Sequence, residues 1–370
     1  MPPPHRLLFI DWLRGWALVV MIETHVFNVL LLAQLRQAEW FRKLTFLNGL
    51  VAPSFLFVSG FVFIAAAQKR LPDLRALRSP FWKQIRRIAL VWAIGYVLHL
   101  PPFSFRSLFA AATGKDWLRF YRVDVLHSIA VTWLFLLLSV VLVRSASLLR
   151  WWLFAATVAV AAFTPYFWSI DFSPAIPPPV AGYLNNRSNS LFPIFPWSGF
   201  MLAGALCASW FSATREGEGQ ERFMAGLALL GGALLLLGYT LPPLSFLPRA
   251  SAPDWRADPR SFLLRLGLVF LLLLACWLYG RWRAASESWI LLVSRESLFV
   301  YVAHLTVLYG RYWNGESLAD RLGNRQGPLV CAAASVALAV VMVFGARLWE
   351  RFKRWRAPLR KSAAANATSP

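Results

Sequence analysis

The first apolar stretch of this sequence carries four polar residues whose types and spacing could do chemistry: Asp11, Arg14, His25 and Asn28. A helix turns 100° per residue, so eleven residues bring Arg14 and His25 to within about 20° of one another and roughly 16 Å apart along the axis. Asp11 precedes Arg14 by three positions and Asn28 follows His25 by three, the spacing of neighbours on a helix face. The pattern predicts one polar stripe along an otherwise apolar helix.

An arginine and a histidine on one helix face could handle the two ends of a long ligand. Arg14 could bind a negatively charged group, and His25 could take a proton as a general base near neutral pH. The same imidazole could instead carry a transferred group covalently. A structural interpretation is also open, in which Arg14 pairs with Asp11 and His25 hydrogen-bonds to a neighbouring helix.

Later apolar segments contain further candidates. His304 follows Ser297 by seven residues, which is two turns along one helix face, and Tyr301 lies between them. Trp197 follows Pro196, a pattern that could present an aromatic ring to a substrate or could mark a kink with aromatic packing.

Two more histidines lie beside predicted spans. His127 follows Asp124 by three residues, so these two side chains could pair at the start of a helix. His99 precedes two prolines, where a solvated or capping role is expected.

Composition identifies the elements that must position these residues. Of 370 residues, 58% are hydrophobic and 15% are charged, against about 25% charged in an average globular protein. Runs of roughly 20 apolar residues are long enough to cross a bilayer. We expect an all-α polytopic membrane protein with about ten transmembrane helices in one bundle, which excludes a soluble enzyme and a nucleic-acid-binding protein. The expected spans lie near 7–32, 48–67, 86–101, 125–143, 150–169, 191–211, 223–241, 262–280, 296–311 and 327–348.

The ninth expected span is interrupted by Arg295 and Glu296, which could mark a break or a helix end. The three cysteines lie in separate apolar runs and form no CxxC pair, so the sequence predicts neither a disulfide framework nor a metal site.

The charges predict an orientation. The net charge is +21, and basic residues cluster in segments 69–87 and 351–361. Excess Lys and Arg mark cytoplasmic segments, so both clusters should be cytoplasmic and, with ten helices, both termini as well. The nearly uncharged segment 170–190 should face outward. We therefore expect a transmembrane domain over 1–350 and a basic cytoplasmic tail over 351–370, with its end, residues 362–370, disordered.

Several segments resemble one superfamily of membrane enzymes. The run from Arg6 to Met21 with the downstream His25 resembles the first helix of the transmembrane acyltransferases, which include acyltransferase-3 proteins and the bacterial relatives of heparan-α-glucosaminide N-acetyltransferase. In the lysosomal type the catalytic histidine lies in the loop after this helix, but residues 33–47 here contain none, which makes His25 the candidate. Later segments resemble the N-acetyltransferase relatives in order: Ala52–Gly60, Arg122–Ala130, Phe192–Trp197 with Gly199 and Gly204, and Ser297–His304.

The resemblance implies an enzyme that moves an acyl group, above all acetyl, from cytoplasmic acyl-CoA to a hydroxyl or amine of a sugar or glycan. It implies no metal, and the bacterial relatives make the bacterial inner membrane the expected location. The expected partners are the lipid bilayer and the glycan acceptor, with no nucleic acid, and a homodimer is possible. The implied roles are catalysis for His25, Arg14 and Asp11, coenzyme A binding for Lys83, Arg86 and Arg87, and substrate contact for Asn28, Trp197, Tyr301 and His304.

A proton-coupled transporter or a lipid flippase is the alternative function. Buried ionisable residues such as Asp11, Arg14 and His25 also line proton and solute paths in transporters. The sequence shows no repeated halves and no paired broken helices, which favours the enzyme.

Overall fold

The computed structural model describes residues 7–100, 109, 114–214, 216–242, 255–282, 288–312 and 316–366. The regular elements in these ranges are helices, and one isolated bridge joins Leu31 and Gln326. Among the described residues, eight helices are long and apolar enough to cross a membrane, or nine if a bent pair forms one span. The expected all-α polytopic class is confirmed.

A short 3₁₀ helix, Ala33–Gln37, accompanies the α-helices. In chain order the α-helices are α1 (Leu8–Leu30), α2 (Glu39–Asn48), α3 (Val51–Gln68), α4 (Leu71–Arg75), α5 (Ser79–Leu98), α6 (Gly114–Phe120), α7 (Val125–Leu142), α8 (Ala146–Ser169), α9 (Pro178–Ala181), α10 (Ile194–Phe211), α11 (Glu218–Thr240), α12 (Pro259–Trp282), α13 (Trp289–Arg295), α14 (Ser297–Tyr309), α15 (Leu318–Leu322) and α16 (Pro328–Asn366).

The chain forms two compact units. Unit 1 combines Met1–Val51 with Trp277–Pro370. In unit 1, α1 packs against α13, α14 and α16. The end of α1 is tied to the segment before α16, because Leu32 N donates to Gln326 O at 3.0 Å and Gln326 N donates to Leu30 O at 2.9 Å. These contacts hold α1 at the centre of its unit.

Unit 2 is the central stretch Ala52–Cys276. Its most buried span is α10, which packs against α8 and α7, while α7 also packs against α5. The guanidinium of Arg75 donates to carbonyls at the C-terminal end of α7, at 3.3 Å to Val140 O within the helix and at 3.1 Å to Val143 O and 3.0 Å to Arg144 O just after it. Such a cation stabilises the C-terminal end of a helix. The basic segment that holds Arg75 therefore lies at this end of α7.

One expected span is not among these eight helices. The expected third span lies in α5, and Lys83, Arg86 and Arg87 occupy its first half, which lowers the mean hydropathy of the helix. With 20 residues, α5 is still about 30 Å long, which matches the thickness of a hydrocarbon core. The ninth expected span is broken: α13 and α14 meet at 89°.

The C-terminal segment also differs from expectation. Helix α16 runs through Asn366, so the expected tail is helical over 351–366. The end that the sequence predicts to be disordered, residues 362–370, begins inside α16, and its residues 367–370 lie outside the described residues.

Candidate active site

Unit 1 brings two histidines together. The ring of His25 on α1 lies 5.3 Å from the ring of His304 on α14, measured between centroids. The hydroxyl of Tyr309 lies 3.4 Å from His25 Nδ1, a long hydrogen bond, and the ring of Tyr301 lies 5.7 Å from that of His304. His304 and Tyr301 are buried, whereas His25 is partly exposed. The pair of imidazoles is therefore reachable from the His25 side.

The hydrogen bonds of His304 define its tautomer. Nδ1 lies 2.8 Å from the carbonyl oxygen of Val300, one turn earlier in α14. A carbonyl oxygen can only accept, so Nδ1 carries the hydrogen and Nε2 holds a lone pair. This Nε2 is buried and has no hydrogen-bond partner among the residues that the structure describes. A buried acceptor without a partner costs about 1–3 kcal/mol, so His304 Nε2 is a strong site for a donated hydrogen.

The two residues at the start of the stripe form the expected ion pair. Arg14 Nη2 lies 2.6 Å from Asp11 Oδ1, and Asp11 is 5% exposed. Arg14 Nε also donates to Ser294 Oγ at 2.9 Å, and Ser294 Oγ donates to Asp11 Oδ1 at 3.2 Å. The three side chains close a ring of hydrogen bonds that joins α1 to α13. Sequence reasoning missed Ser294, because 280 positions separate it from Arg14.

The backbones of α1 and α13 touch next to this ring. A Cβ on Gly15 would lie 2.6 Å from the carbonyl oxygen of Ile290, closer than side-chain atoms come. Glycine is therefore required at position 15 for the two helices to approach at this distance. Ile290 lies one turn before Ser294, so the same contact holds the serine at the level of Arg14.

The bend between α13 and α14 is anchored by α16. Lys353 Nζ lies 2.6 Å from both carboxylate oxygens of Glu296, which is 7% exposed. Arg295 lies 3.5 Å from Glu350, also on α16. The break expected at Arg295 and Glu296 is confirmed. Because α14 begins at this bend, the anchor positions His304 within unit 1.

The remaining residue of the stripe does not join the histidine pair. Asn28 is exposed, and its backbone carbonyl accepts a hydrogen bond from Arg36 Nη2 at 2.7 Å. This contact ties the end of α1 to the 3₁₀ helix that follows it. A substrate role for Asn28 stays a prediction.

Other predicted site residues lie in unit 2. Trp197 is 4% exposed, and its ring lies 4.7 Å from that of Phe192, next to the non-helical residue Phe195 of α10. The interpretation of this segment as a kink with aromatic packing is confirmed. Nε1 of Trp197 is nevertheless buried without a hydrogen-bond partner among the described residues, so its substrate role stays a prediction.

The basic run predicted to bind coenzyme A lies on α5. Lys83 and Arg86 are exposed, and the guanidinium of Arg87 lies 5.1 Å from the centroid of the Trp133 ring. Arg86 and Arg87 follow Lys83 by three and four residues, so each is a neighbour of Lys83 on the helix surface. They form an exposed basic surface that could meet phosphates, and this role stays a prediction.

The fold defines a class of protein: a multi-pass α-helical membrane protein that holds a pair of imidazoles inside one of its units. The sequence model of the family described as heparan-alpha-glucosaminide N-acetyltransferase, catalytic, matches residues 6–241. Because this match covers well over half of the 370 residues, the chain belongs to that family and is an N-acetyltransferase-type membrane enzyme. No curated protein matches the sequence.

The family match includes some candidate residues and not others. His25, Arg14 and Asp11 lie inside the matched stretch, whereas His304 lies beyond its end. The family predicted from the sequence motifs is confirmed, and the catalytic roles of individual residues stay predictions.

Proposed function

We propose that this enzyme transfers an acetyl group, or another acyl group, from cytoplasmic acyl-CoA to a hydroxyl or amine of a sugar or glycan, with His25 as the general base or acyl carrier. The observation that carries the proposal is the His25–His304 pair, in which His304 Nε2 is a buried acceptor 5.3 Å, ring to ring, from His25. A second imidazole beside the first supports either role of His25, because it can orient the ring or accept its proton.

In direct transfer, the oxygen or nitrogen of the acceptor attacks the thioester carbon. A carbon–oxygen or carbon–nitrogen bond forms, the carbon–sulfur bond breaks, the acceptor proton passes to His25, and the thiolate leaves and is protonated to coenzyme A. In the covalent route, a nitrogen of His25 attacks the thioester carbon, the carbon–sulfur bond breaks, and His304 Nε2 takes the proton that the His25 imidazole loses and passes it to the leaving thiolate. The acceptor then attacks the acyl carbon, its bond to His25 breaks, and the acceptor proton passes to the His25 imidazole. Tyr309, beside His25, supplies a hydroxyl to either route.

The donor needs positive charge on the cytoplasmic side. Lys83, Arg86 and Arg87 are proposed to hold the phosphates of the acyl-CoA, because charge-assisted hydrogen bonds to phosphate are strong. Arg14 is proposed to maintain the geometry of α1 through Asp11 or to meet negative charge on the donor. The proposal places residues 1–350 in a transmembrane acyltransferase domain and both termini in the cytoplasm of a bacterial cell.

Purified protein incubated with radiolabelled acetyl-CoA and a panel of saccharides that includes glucosaminides tests the proposal. His25→Ala should lower transfer by a factor of about 10² to 10⁴ while the acyl donor still binds. Thr24→Val is the matched control, because the Thr24 hydroxyl donates within its own helix, to Val20 O at 2.8 Å.

The outcome also separates the enzyme from the alternative function. If His25→Ala transfers acetyl at the rate of the unmodified protein, His25 is neither the general base nor the acyl carrier, and His304 becomes the next candidate. Movement of a solute across vesicles with no acetylated product would instead support the transporter or flippase, in which the same residues line a path.

A further inference from the structure

Unit 2 contains a second cluster of titratable residues that the proposed chemistry does not use. His99 follows the last residue of α5, Asp124 caps the start of α7, and His127 lies in the first turn of α7. One nitrogen or carboxylate oxygen from each lies within 4.8 Å of those of the other two. Asp124 is 5% exposed and His127 is fully buried. The cluster lies at the end of α5 opposite to its basic run.

The carboxylate of Asp124 defines the tautomer of His127. Its Oδ1 lies 2.8 Å from His127 Nδ1 and also accepts the backbone N–H of Leu126 at 2.9 Å. Burial raises the pKa of Asp124, but its hydrogen bonds to His127 and its interactions with His127 and His99 outweigh burial, so the pKa lies below its usual value. An ionised carboxylate can only accept, so His127 Nδ1 carries the hydrogen. The backbone N of Asp124 lies farther from this Nδ1, at 3.2 Å.

In the neutral imidazole with its hydrogen on Nδ1, the lone pair lies on His127 Nε2, inside the protein. It is buried and has no hydrogen-bond partner among the residues that the structure describes. A buried acceptor without a partner loses its hydrogen bonds to water and gains none in return, which costs free energy. A ligand that donates an O–H or N–H hydrogen to this atom would offset that loss. A carboxylate that orients an imidazole and leaves its second nitrogen free is the arrangement by which proteins direct a histidine at a substrate proton.

Aromatic residues with polar groups surround this histidine. The ring of Tyr96 stands edge-on at 4.2 Å from that of His127. The hydroxyl of Tyr183 lies 3.5 Å from that of Tyr96 and accepts from Trp92 Nε1 at 2.9 Å. Burial raises the pKa of Tyr183, so its hydroxyl stays protonated. Trp92 is 43% exposed, so the cluster reaches the surface of unit 2.

Gly95 of α5 lies against the ring of His127 and leaves space for it. A Cβ on Gly95 would lie 2.7 Å from Cε1, 2.9 Å from Nε2 and 3.0 Å from Nδ1 of His127. These nearly equal distances place position 95 against the face of the ring, where a glycine leaves room for it and a side chain would not. His99 Nδ1 donates to the carbonyl of Gly95 at 2.9 Å, which leaves its own Nε2 as a second acceptor.

We propose that this cluster of Trp92, Tyr96, His99, Asp124, His127 and Tyr183 binds a sugar, with His127 Nε2 accepting the hydrogen of a sugar hydroxyl or amine. Aromatic faces pack against the apolar face of a sugar ring, while tyrosine hydroxyls and imidazole nitrogens meet its hydroxyl groups. The sugar class rests on the proposed function, whereas the need of Nε2 for a hydrogen donor does not.

Binding measured without acyl-CoA tests this site independently of transfer. Titration calorimetry with methyl α-glucosaminide and methyl α-glucoside on protein in nanodiscs should detect binding of at least one of the two probes. His127→Phe, which keeps a ring but removes both nitrogens, should weaken that binding by about tenfold or more, the effect of losing one good hydrogen bond to a buried group. Thr132→Val is the matched control on α7, because the Thr132 hydroxyl donates to Ser128 O at 2.7 Å within the helix.

Two further variants keep the test decisive if His127→Phe fails to fold. Asp124→Asn should weaken binding because an amide no longer selects the tautomer with a free Nε2. Gly95→Ala should weaken it by displacing the ring while all polar groups remain. His304→Gln in unit 1 should lose transfer and keep sugar binding, so that failure of the proposed chemistry is distinguishable from failure of this site.

The proposal is overturned if the unmodified protein binds neither probe, or if His127→Phe, Asp124→Asn and Gly95→Ala all bind as tightly as it does. It is also overturned if the purified protein holds about one equivalent of Zn²⁺ that His127→Phe loses, because the same three residues would then be metal ligands. Binding that falls in the cluster variants and persists in Thr132→Val supports it.

Discussion

The ring of hydrogen bonds formed by Asp11, Arg14 and Ser294 makes a quantitative prediction. Arg14→Met keeps much of the side-chain volume but removes the cation 2.6 Å from a carboxylate that is 5% exposed. Removing one partner of a buried ion pair costs about 3–5 kcal/mol. The side chain of Arg14 is itself 20% exposed, so water reaches the pair and the lower end, about 3 kcal/mol, is expected.

Adding Asp11→Asn to Arg14→Met should restore most of the free energy of unfolding that Arg14→Met loses. In Asp11→Asn with Arg14→Met, the charge that Arg14 balanced is gone, while an amide oxygen can still accept from Ser294 Oγ, which lies 3.2 Å from Asp11 Oδ1. We expect the double variant to be about 2 kcal/mol more stable than Arg14→Met alone, since a neutral amide is far less costly to bury than a carboxylate. Non-additivity of this size is typical of side chains in one network.

Unfolding by titration with sodium dodecyl sulfate in mixed micelles measures the free energies of the four proteins of this cycle. A loss below about 1 kcal/mol in Arg14→Met would refute the reasoning, because a loss that small is typical of exposed pairs. A double variant no more stable than Arg14→Met would refute it as well. Transfer activity gives a second result: recovery of activity in the double variant indicates a structural pair, whereas recovered stability without activity indicates that Arg14 also contacts the acyl donor.

Three other predictions address orientation, donor binding and helix packing. A reporter fused after Pro178 should read outward, and a cytoplasmic signal there would contradict the orientation inferred from the arginine-rich segments. Reversing the charges of Arg86 and Arg87 should weaken acyl-CoA binding in a direct titration while the protein still inserts, and unchanged affinity would leave these residues with a topological role alone. Gly15→Ala should lower the free energy of unfolding by about 1–3 kcal/mol, because the added methyl group would clash with Ile290. Gly280→Ala is the control and should change this free energy little, because its Cβ would lie at an ordinary 3.8 Å from Trp12. Equal effects of the two substitutions would contradict the close approach of α1 and α13.

The sequence predicts the number of spans only approximately, and α5 shows the reason. Hydrophobic length is a local property, so α1, α3, α7, α8 and α10 were predicted close to their observed positions. Three basic residues lie in the first half of α5, so a count of apolar residues locates the start of this span poorly. The break at Glu296 was visible in the sequence, but its 89° bend and its anchor on Lys353 were not.

The sequence by itself determined the class of protein, the family and the stripe that carries Asp11, Arg14 and His25, because composition, helical periodicity and motif order are carried by neighbouring residues. Only the tertiary structure decided which of these residues have partners in later helices. It placed Arg14 against Ser294 and His25 beside His304, and it left Asn28 exposed. The physical reason is that hydrogen bonds and ring contacts form between side chains hundreds of positions apart, whose meeting depends on the close approach of α1 to α13 and on the bend that begins α14.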